Sequence, residues 1–249
     1  MKGKRLKKGK NVKISTSSTQ EQVDRISDLP ESLLHHIFSF MDMREIVQTC
    51  LLSKTWITVW KSLPVLNFGY CFWNSTSLRK HHNVLHKRDT SSAILKINLS
   101  RNYCCHSPQF DTILAFALTK PIKEIYLETP KRQPRIMPDI LFNSTIEVFK
   151  LESVLYRRPG VPVELPVSLC RASKLKTLEL ISAKLPKGNS AGELAFNYPD
   201  LENLMIDQCD CQHIKILNVN APKLKNLVVG NYENTSSCVT KFLVRISYQ

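Results

Sequence analysis

The sequence predicts an α/β chain: a short block of three helices, then a solenoid whose repeats supply the strands of a curved parallel β-sheet. Three observations predict it. Residues 24–68, "DRISDLPESLLHHIFSFMDMREIVQTCLLSKTWITVWKSLPVLNF", carry apolar residues at helical spacing and break twice at polar positions. Beyond residue 90 an apolar residue recurs at i, i+3 and i+5 in seven segments. Most of those segments return every 23 to 29 residues, which is the length of one unit in a stacked array. With 249 residues, 43% of them hydrophobic, the chain has material for one large domain or two small ones.

In the helical block, Pro30 suits a first helical turn, where a missing N–H is no loss, and Glu31 suits the positive end of the helix dipole. Leu33, Ile37 and Met41 lie four apart, with Leu34 and Phe38 filling the adjacent row, so one face is continuously apolar. Asp42 and Glu45 have capping-box spacing, and Ile46, Val47, Cys50 and Leu51 follow at i, i+1, i+4 and i+5, which makes a second helix. Ser53 can cap a third, whose Trp56, Val59, Trp60 and Leu63 share a face before Pro64 ends it. So small a block leaves too much of its apolar surface wet and needs a partner. Each Leu, Ile or Phe buried is worth about 1.5 to 3 kcal/mol, so a handful facing outward anchors a complex once association costs are met. The competing reading is that these helices only pad the larger domain behind them, and composition does not separate the two.

The repeating segments are "ILKINL", "IKEIYL", "IEVFKL", "LKTLEL", "LENLMI", "IKILNV" and "LKNLVV", starting at 94, 122, 146, 175, 201, 214 and 224. If the copy at 214 is an insertion between 201 and 224, the spacing is the leucine-rich-repeat period. In each copy the last two apolar positions share one strand face and the residues beside them point the other way. One strand cannot bury its apolar face alone, so neighbours stack into a parallel sheet with the returning segments outside. The copy at 214 reads equally as a strand or as an extended convex segment, and "VTKFLV" from Val239 can add a further strand.

The longest uninterrupted apolar run, Ile113 to Leu118, falls far short of the roughly 20 residues a membrane-spanning helix needs. No secretory signal is legible, and the eight cysteines therefore read as reduced thiols, mostly packing residues. Cys209, Cys211 and His213 cluster, but no second pair lies at zinc-ligand spacing. His81, His82 and His86 lack the acid of a helical zinc motif. No phosphate-cradling glycine loop and no local catalytic signature occurs, so the sequence points to neither a cofactor nor an active site. The first thirteen residues, "MKGKRLKKGKNVK", hold half of the formal net charge of +14, and a run that repels itself with little to bury is expected to be disordered. Its functional reading is a nuclear-import signal, which places the protein in the nucleus or cytoplasm. Salt-dependent contact with nucleic acid and a solubilising tail are the other readings.

"DRISDLPESLLHHIFSFM" followed by "LLSKTWITVWKSLPVLNF" resembles the F-box of plant F-box/leucine-rich-repeat proteins, including the FBD-associated group, over about 45 residues with its landmarks in order. Proline just before the strand, in "NYPDLENLMIDQCDC" and "NAPKLKNLVVGNYEN", is typical of the same plant proteins. The resemblance implies that the three-helix block docks on a Skp-type adaptor, and through it on the cullin and RING subunits of a ubiquitin ligase, with the repeats holding an unknown protein substrate. Leu29 and Pro30 stand at the Leu-Pro pair that opens the first helix and takes part in that contact. Leu33, Ile37, Val47, Leu51, Leu52, Ser53 and Trp56 stand at positions that the resemblance assigns to adaptor contact or to the block's own packing. Phe38 and Met41 replace the usual leucine, and Thr55 replaces a common basic residue, which can retune docking. The implied division is a basic tail at 1–22, an F-box at 23–69, a linker at 70–92 and a leucine-rich-repeat domain at 93–249. The last ends at Gln249 without a polar capping repeat, which leaves open a truncated chain, a divergent short form or an incomplete gene product.

The substrate is expected on the concave strand face. Its outward positions are Lys96, Asn98, Ser100; Glu124, Tyr126, Glu128; Val148, Lys150, Glu152; Thr177, Glu179, Ile181; Asn203, Met205, Asp207; Ile216, Asn218, Asn220; and Asn226, Val228, Gly230. Five acids against two bases leave a formal −3 in a basic chain, which favours a basic or mixed-charge protein and disfavours nucleic acid along the sheet. Tyr126 and Met205 are the expected anchors. A solvated face is the plainer alternative. The chain is thus expected to be a non-catalytic substrate-recognition subunit, and the alternative is a leucine-rich-repeat scaffold acting without the ligase.

Overall fold

The computed structural model describes residues 25–68, 87–89, 91–99, 114–116, 118–130, 136–142, 145–154, 161–230 and 243–247. The lysine-rich tail, most of the 70–92 segment with its three histidines, Ser100 and Val239 lie outside the described residues.

Three helices come first: α1 (Glu31–Phe38), α2 (Met43–Thr49) and α3 (Lys54–Ser62). Pro30 is the N-cap of α1. The capping box forms at α2, with the Asp42 carboxylate accepting from backbone N–H groups and the Glu45 carboxylate accepting from the Asp42 N–H at 3.1 Å. Ser53 caps α3 by position, in extended conformation, but its hydroxyl pairs with that of Thr55 at 2.7 Å instead of with a helix N–H. The apolar face read on α1 divides in two. Leu34 and Phe38 are buried with Met43, Ile46, Val59, Trp60 and Leu63, while Leu33 and Ile37 stay exposed. At the start of α1 and the end of α3 the Ser62 hydroxyl donates to Glu31 Oε1 at 2.7 Å and lies 3.0 Å from His35 Nε2.

The solenoid begins inside the stretch read as F-box. Strand β1 (Val65–Phe68) follows α3 directly and pairs with β2 (Lys96–Leu99), in parallel and in register Val65 to Lys96. The main sheet continues through β3 (Glu124–Pro130), β4 (Val148–Val154), β5 (Thr177–Ile181), β7 (Asn203–Asp207) and β9 (Asn226–Val229), every pair parallel. Alternate residues line up across all seven strands. The inward row Leu66, Ile97, Ile125, Phe149, Leu178 and Leu204 is fully buried, and Leu227 at its end is 37% exposed. The first apolar position of the copies from Ile94 to Ile214 is buried as well, so i, i+3 and i+5 record three contacts with one core.

The back of the coil changes along its length. Two short 3₁₀ turns, Asp139–Leu141 and Val167–Arg171, give way to β6 (Glu193–Asn197), β8 (Ile216–Asn220) and β10 (Leu243–Ser247), a second parallel sheet in the order β10-β8-β6. The copy at 214 is therefore a strand, but not of the main sheet. Thirteen residues after the copy at 201 the chain has gone only part of the way round a 23-residue coil, and the place beside β7 falls to β9. Tyr198, following β6, is fully buried and donates its hydroxyl to the Leu169 carbonyl at 2.8 Å, and burial pushes that hydroxyl well above the ordinary tyrosine range.

Just before the strands, Lys123, Glu147 and Lys176 bridge successive repeats at 3.4 and 2.7 Å, and Glu202 and Lys225 repeat the pairing at 2.8 Å. The two lysine ammoniums hold the Glu147 carboxyl below the usual range. Block and solenoid are joined by hydrogen bonds as well as chain. Asn67 on β1 donates to the Ser39 carbonyl at 2.5 Å, and the buried Arg88 guanidinium donates to the Leu63 carbonyl at the end of α3, at 2.7 Å. Burial lowers the Arg88 pKa to about 10, which leaves it charged at neutral pH.

Candidate docking surfaces

The first surface lies on the helical block. Leu33 and Ile37 on α1 are 49% and 41% exposed, and Leu51 and Leu52, between α2 and α3, are 89% and 77% exposed. These four side chains stay wet although the residues beneath them are buried in one core shared with the sheet. Pro30 is also exposed. Leu29, Val47 and Trp56 are half-buried against the core, and Ser53 is half-buried at the α3 cap. Trp56 meets Phe38 edge-on with ring centroids 5.6 Å apart, so much of its ring serves the block's own packing. The nine residues singled out in the sequence thus separate into an outward set and an inward or mixed set. Phe40, 76% exposed, was missed. Leu33, Ile37 and Phe40 fall at i, i+4 and i+7, so the helical period continues from Ile37 to Phe40 and not to Met41.

The second surface is the outward face of the main sheet. Register places Asn67, Asn98, Tyr126, Lys150, Glu179, Met205 and Val228 in one row, and Glu128, Glu152, Ile181 and Asp207 in the next. Lys150 Nζ is 2.7 Å from Glu179 Oε1, and Lys96 Nζ is 3.3 Å from Glu124 Oε2. Tyr126 is flanked by both cations, with Lys96 Nζ 4.2 Å and Lys150 Nζ 5.4 Å from its ring centroid, and its hydroxyl donates to Glu124 Oε2 at 3.3 Å. Cations this close to the ring occupy part of its face and leave less of it for a guest. Glu152 and Asp207 form no ion pair among the described residues. A depression of about 290 Å³ lies here, bordered by Tyr126, Glu128, Lys150, Glu152, Glu179 and Ile181. The structure thus brings six of the eight substrate candidates close together: Tyr126, Glu128, Lys150, Glu152 and Glu179 around the depression, and Glu124, which pairs with Lys96 and Tyr126. Met205 and Asp207 lie further along the sheet, on β7. Ile216, Asn218 and Asn220, counted on this face in the sequence, belong to β8 on the second sheet. All three are uncharged, so the excess of acid on the main face is unchanged.

Among the described residues no group of three or more His, Cys, Asp or Glu side chains is arranged to hold a metal ion. Cys209 points its thiol at the Leu180 carbonyl, 3.4 Å away, and burial pushes the Cys211 thiol up to about 12.

Residues 26–68 match the F-box domain model. An F-box/FBD/LRR-repeat protein of Arabidopsis thaliana is 29% identical over 220 residues, covering 86% of this chain and 49% of that protein. An F-box/LRR-repeat protein of the same plant is 27% identical over 222 residues, 86% of this chain and 70% of the relative. A putative FBD-associated F-box protein, also of Arabidopsis thaliana, is 26% identical over 215 residues, 83% of this chain and 51% of the relative. The chain thus spans about half the length of most of these relatives. No solved structure matches. The open apolar row on the helical block and the in-register strands behind it accord with these comparisons: the chain carries an F-box domain and is a homologue of the F-box/LRR-repeat proteins of Arabidopsis.

Proposed function

We propose that this chain is the substrate-recognition subunit of a cullin-RING ubiquitin ligase, with α1 to α3 docking on a Skp-type adaptor and the main sheet holding the target protein. One observation carries the reading: Leu33, Ile37, Leu51 and Leu52 remain open to solvent on a block whose inner face is already buried in the core it shares with the sheet. Leu33 and Ile37 are already about half covered, so completing the burial of these four side chains supplies about 4 to 8 kcal/mol of gross hydrophobic free energy, to which the bordering residues add against the cost of association. Leu29, Pro30, Val47, Ser53 and Trp56 border or support that contact. The chain itself does no chemistry. It raises the effective concentration of the target beside the transfer machinery, and ubiquitin transfer takes place on the other subunits.

The scaffold reading has one observation in its favour, because α2 packs on β1 and the block closes the first end of the solenoid. Capping accounts for Phe38, Met43, Ile46 and Leu63, which face the core, but not for the open row. Co-expression of the full chain with a Skp-type adaptor and cullin tests the choice. Recovery of all three in one complex, lost in Leu51→Asp/Leu52→Asp, supports the ligase reading, whereas recovery of the adaptor without cullin favours the scaffold. For the tail at residues 1–13 we propose nuclear import. A reporter fused to it and staying in the cytoplasm would refute that.

A further inference from the structure

The outward face carries two depressions that share a border. One, of about 490 Å³, lies at the seam between helices and sheet, against Phe40, Met41 and Val65. The other is the 290 Å³ depression over β3 to β5, and Asn98 lines both. Together they make a trough running across the strands from the helical block onto the sheet, and its chemistry changes along the way. The seam end sets Phe40, Met41 and Val65 among Ser39, Asp42, Asn67 and Lys96, and the Phe40 ring is largely exposed there. Both lysines of the face are taken by its own carboxylates, Lys96 at the seam by Glu124 and Lys150 at the far end by Glu179. Glu152, which forms no ion pair among the described residues, stands beside Ile181 in register. That end presents a carboxylate needing a cation next to an aliphatic surface. An acidic guest would meet Glu152 and Glu179, and a nucleic acid would set its phosphates against a face with five acids and two bases.

Neighbouring strands lie about 4.8 Å apart, so β1 is about 14 Å from β4 and about 19 Å from β5. An extended peptide advances about 3.3 Å per residue, so about four to six residues bridge the two ends. We propose that the trough takes an extended segment of the target protein lying across the strands, with an apolar side chain against Phe40 and Val65 and, about four to six residues away, an arginine or lysine whose stem rests on Ile181 and whose cation meets Glu152. The inference rests on the main sheet being the target-binding face and adds the pattern that the target must carry.

The test uses the full chain and fluorescein-labelled octapeptides with leucine at position 2, arginine at position 6, 7 or 8, and mixed Ala, Ser, Asn and Thr elsewhere. Control sets replace the arginine by glutamate or the leucine by serine, and a thymidine octanucleotide serves as the nucleic-acid control. Anisotropy titrations are expected to show the Leu/Arg sets binding at least about tenfold more tightly than either control set, a difference of about 1.4 kcal/mol. Glu152→Lys reverses the preference between arginine and glutamate, Glu152→Gln removes it, and Phe40→Ser removes the preference for leucine. Both side chains are outward, so unchanged thermal melting confirms that the variants are folded. Equal binding of all sets, no binding of any, or binding of the oligonucleotide in preference overturns the inference. Adaptor co-purification is scored separately: adaptor capture without the peptide preference refutes the trough and leaves the ligase reading standing, and the reverse result refutes the ligase reading alone.

Discussion

The helical block and the main sheet treat their exposed side chains in opposite ways. On the helical block the outward residues of the docking row are leucine and isoleucine, with Leu51 and Leu52 the most exposed. On the sheet the outward residues bond to each other, Lys150 to Glu179, Lys96 to Glu124, and Tyr126 to both lysines and a glutamate. An apolar row binds by contact area and shape, which suits one unchanging partner. A sheet face built on an in-register core can exchange each outward residue without disturbing the layer beneath, because successive side chains point to opposite sides. That suits discrimination, where polar and charged groups decide which partner is rejected. The division of labour in the proposed function is thus already present in how the two surfaces are built.

The largest effect is expected where the comparison reaches the interior. Phe38 is one position along α1 from Ile37, but it is buried against Trp56. Phe38→Ala should lower the unfolding free energy by about 3 to 5 kcal/mol, while Ile37→Ala should change it by less than about 1 kcal/mol; urea titrations of the two variants check this. Equal losses would mean that Ile37 is not on an open face. Next comes Leu51→Asp/Leu52→Asp, which should leave melting nearly unchanged but weaken adaptor capture at least about a hundredfold, because two apolar side chains are lost and two charges must be desolvated. Surface plasmon resonance against a Skp-type adaptor measures it, and retained affinity would show that the open row is not the docking surface.

How much of this was legible in the sequence depended on whether a pattern had one structural meaning or two. The triple i, i+3, i+5 has one, burial at three points of one core, and it located β2, β3, β4, β5 and β7. It also marked the copy at 214, where the same burial occurs on the opposite side of the coil, so the pattern identified a strand without saying which sheet it joins. Strand β6 has only Leu194 and Phe196 to announce it, too short an alternation to stand out. On α1 the rows Leu33/Ile37 and Leu34/Phe38 are neighbours on the helix and both apolar, so periodicity showed a wide apolar face but not which half would be covered. The four-residue β1 carries the same triple in Leu63, Leu66 and Phe68, all buried, but Leu63 also lies on the apolar face of α3, so the segment reads as the tail of the helical block. The ion pairs that occupy both lysines of the sheet face depend on cross-strand register, which no single segment encodes.

A third prediction concerns the back of the solenoid, which neither docking surface reaches. Burial pushes the Cys170 thiol up to about 11 and the Cys211 thiol to about 12, against about 9 for an unfolded thiol. Between those values the unfolded chain has released protons that the folded chain still holds, so unfolding is favoured as pH rises. This stability is fully present below pH 9 and is lost progressively above it, by about 1.4 kcal/mol per thiol per pH unit. Raising the pH from 8 to 10 should therefore cost about 2 to 3 kcal/mol in chemical denaturation, and the slope should flatten in Cys170→Ala/Cys211→Ala. A slope unchanged by that double replacement would assign the alkaline sensitivity elsewhere.

The smallest effect is the one that most directly tests the contrast between the two surfaces. If the pairs on the sheet face set its shape and charge more than its stability, breaking them should scarcely alter folding. Lys150 and Glu179 are partly exposed and lie 2.7 Å apart, a geometry for which the coupling measured by a double-mutant cycle is typically about 0.2 to 1 kcal/mol. Lys150→Gln and Glu179→Gln, singly and together, should show a coupling in that range that shrinks with added salt. Lys150→Gln also frees Glu179, so it should raise the face's preference for basic peptides even as stability stays level. A coupling well above about 1 kcal/mol would make the pair part of the framework, and the sheet face would then be no freer to vary than the core beneath it.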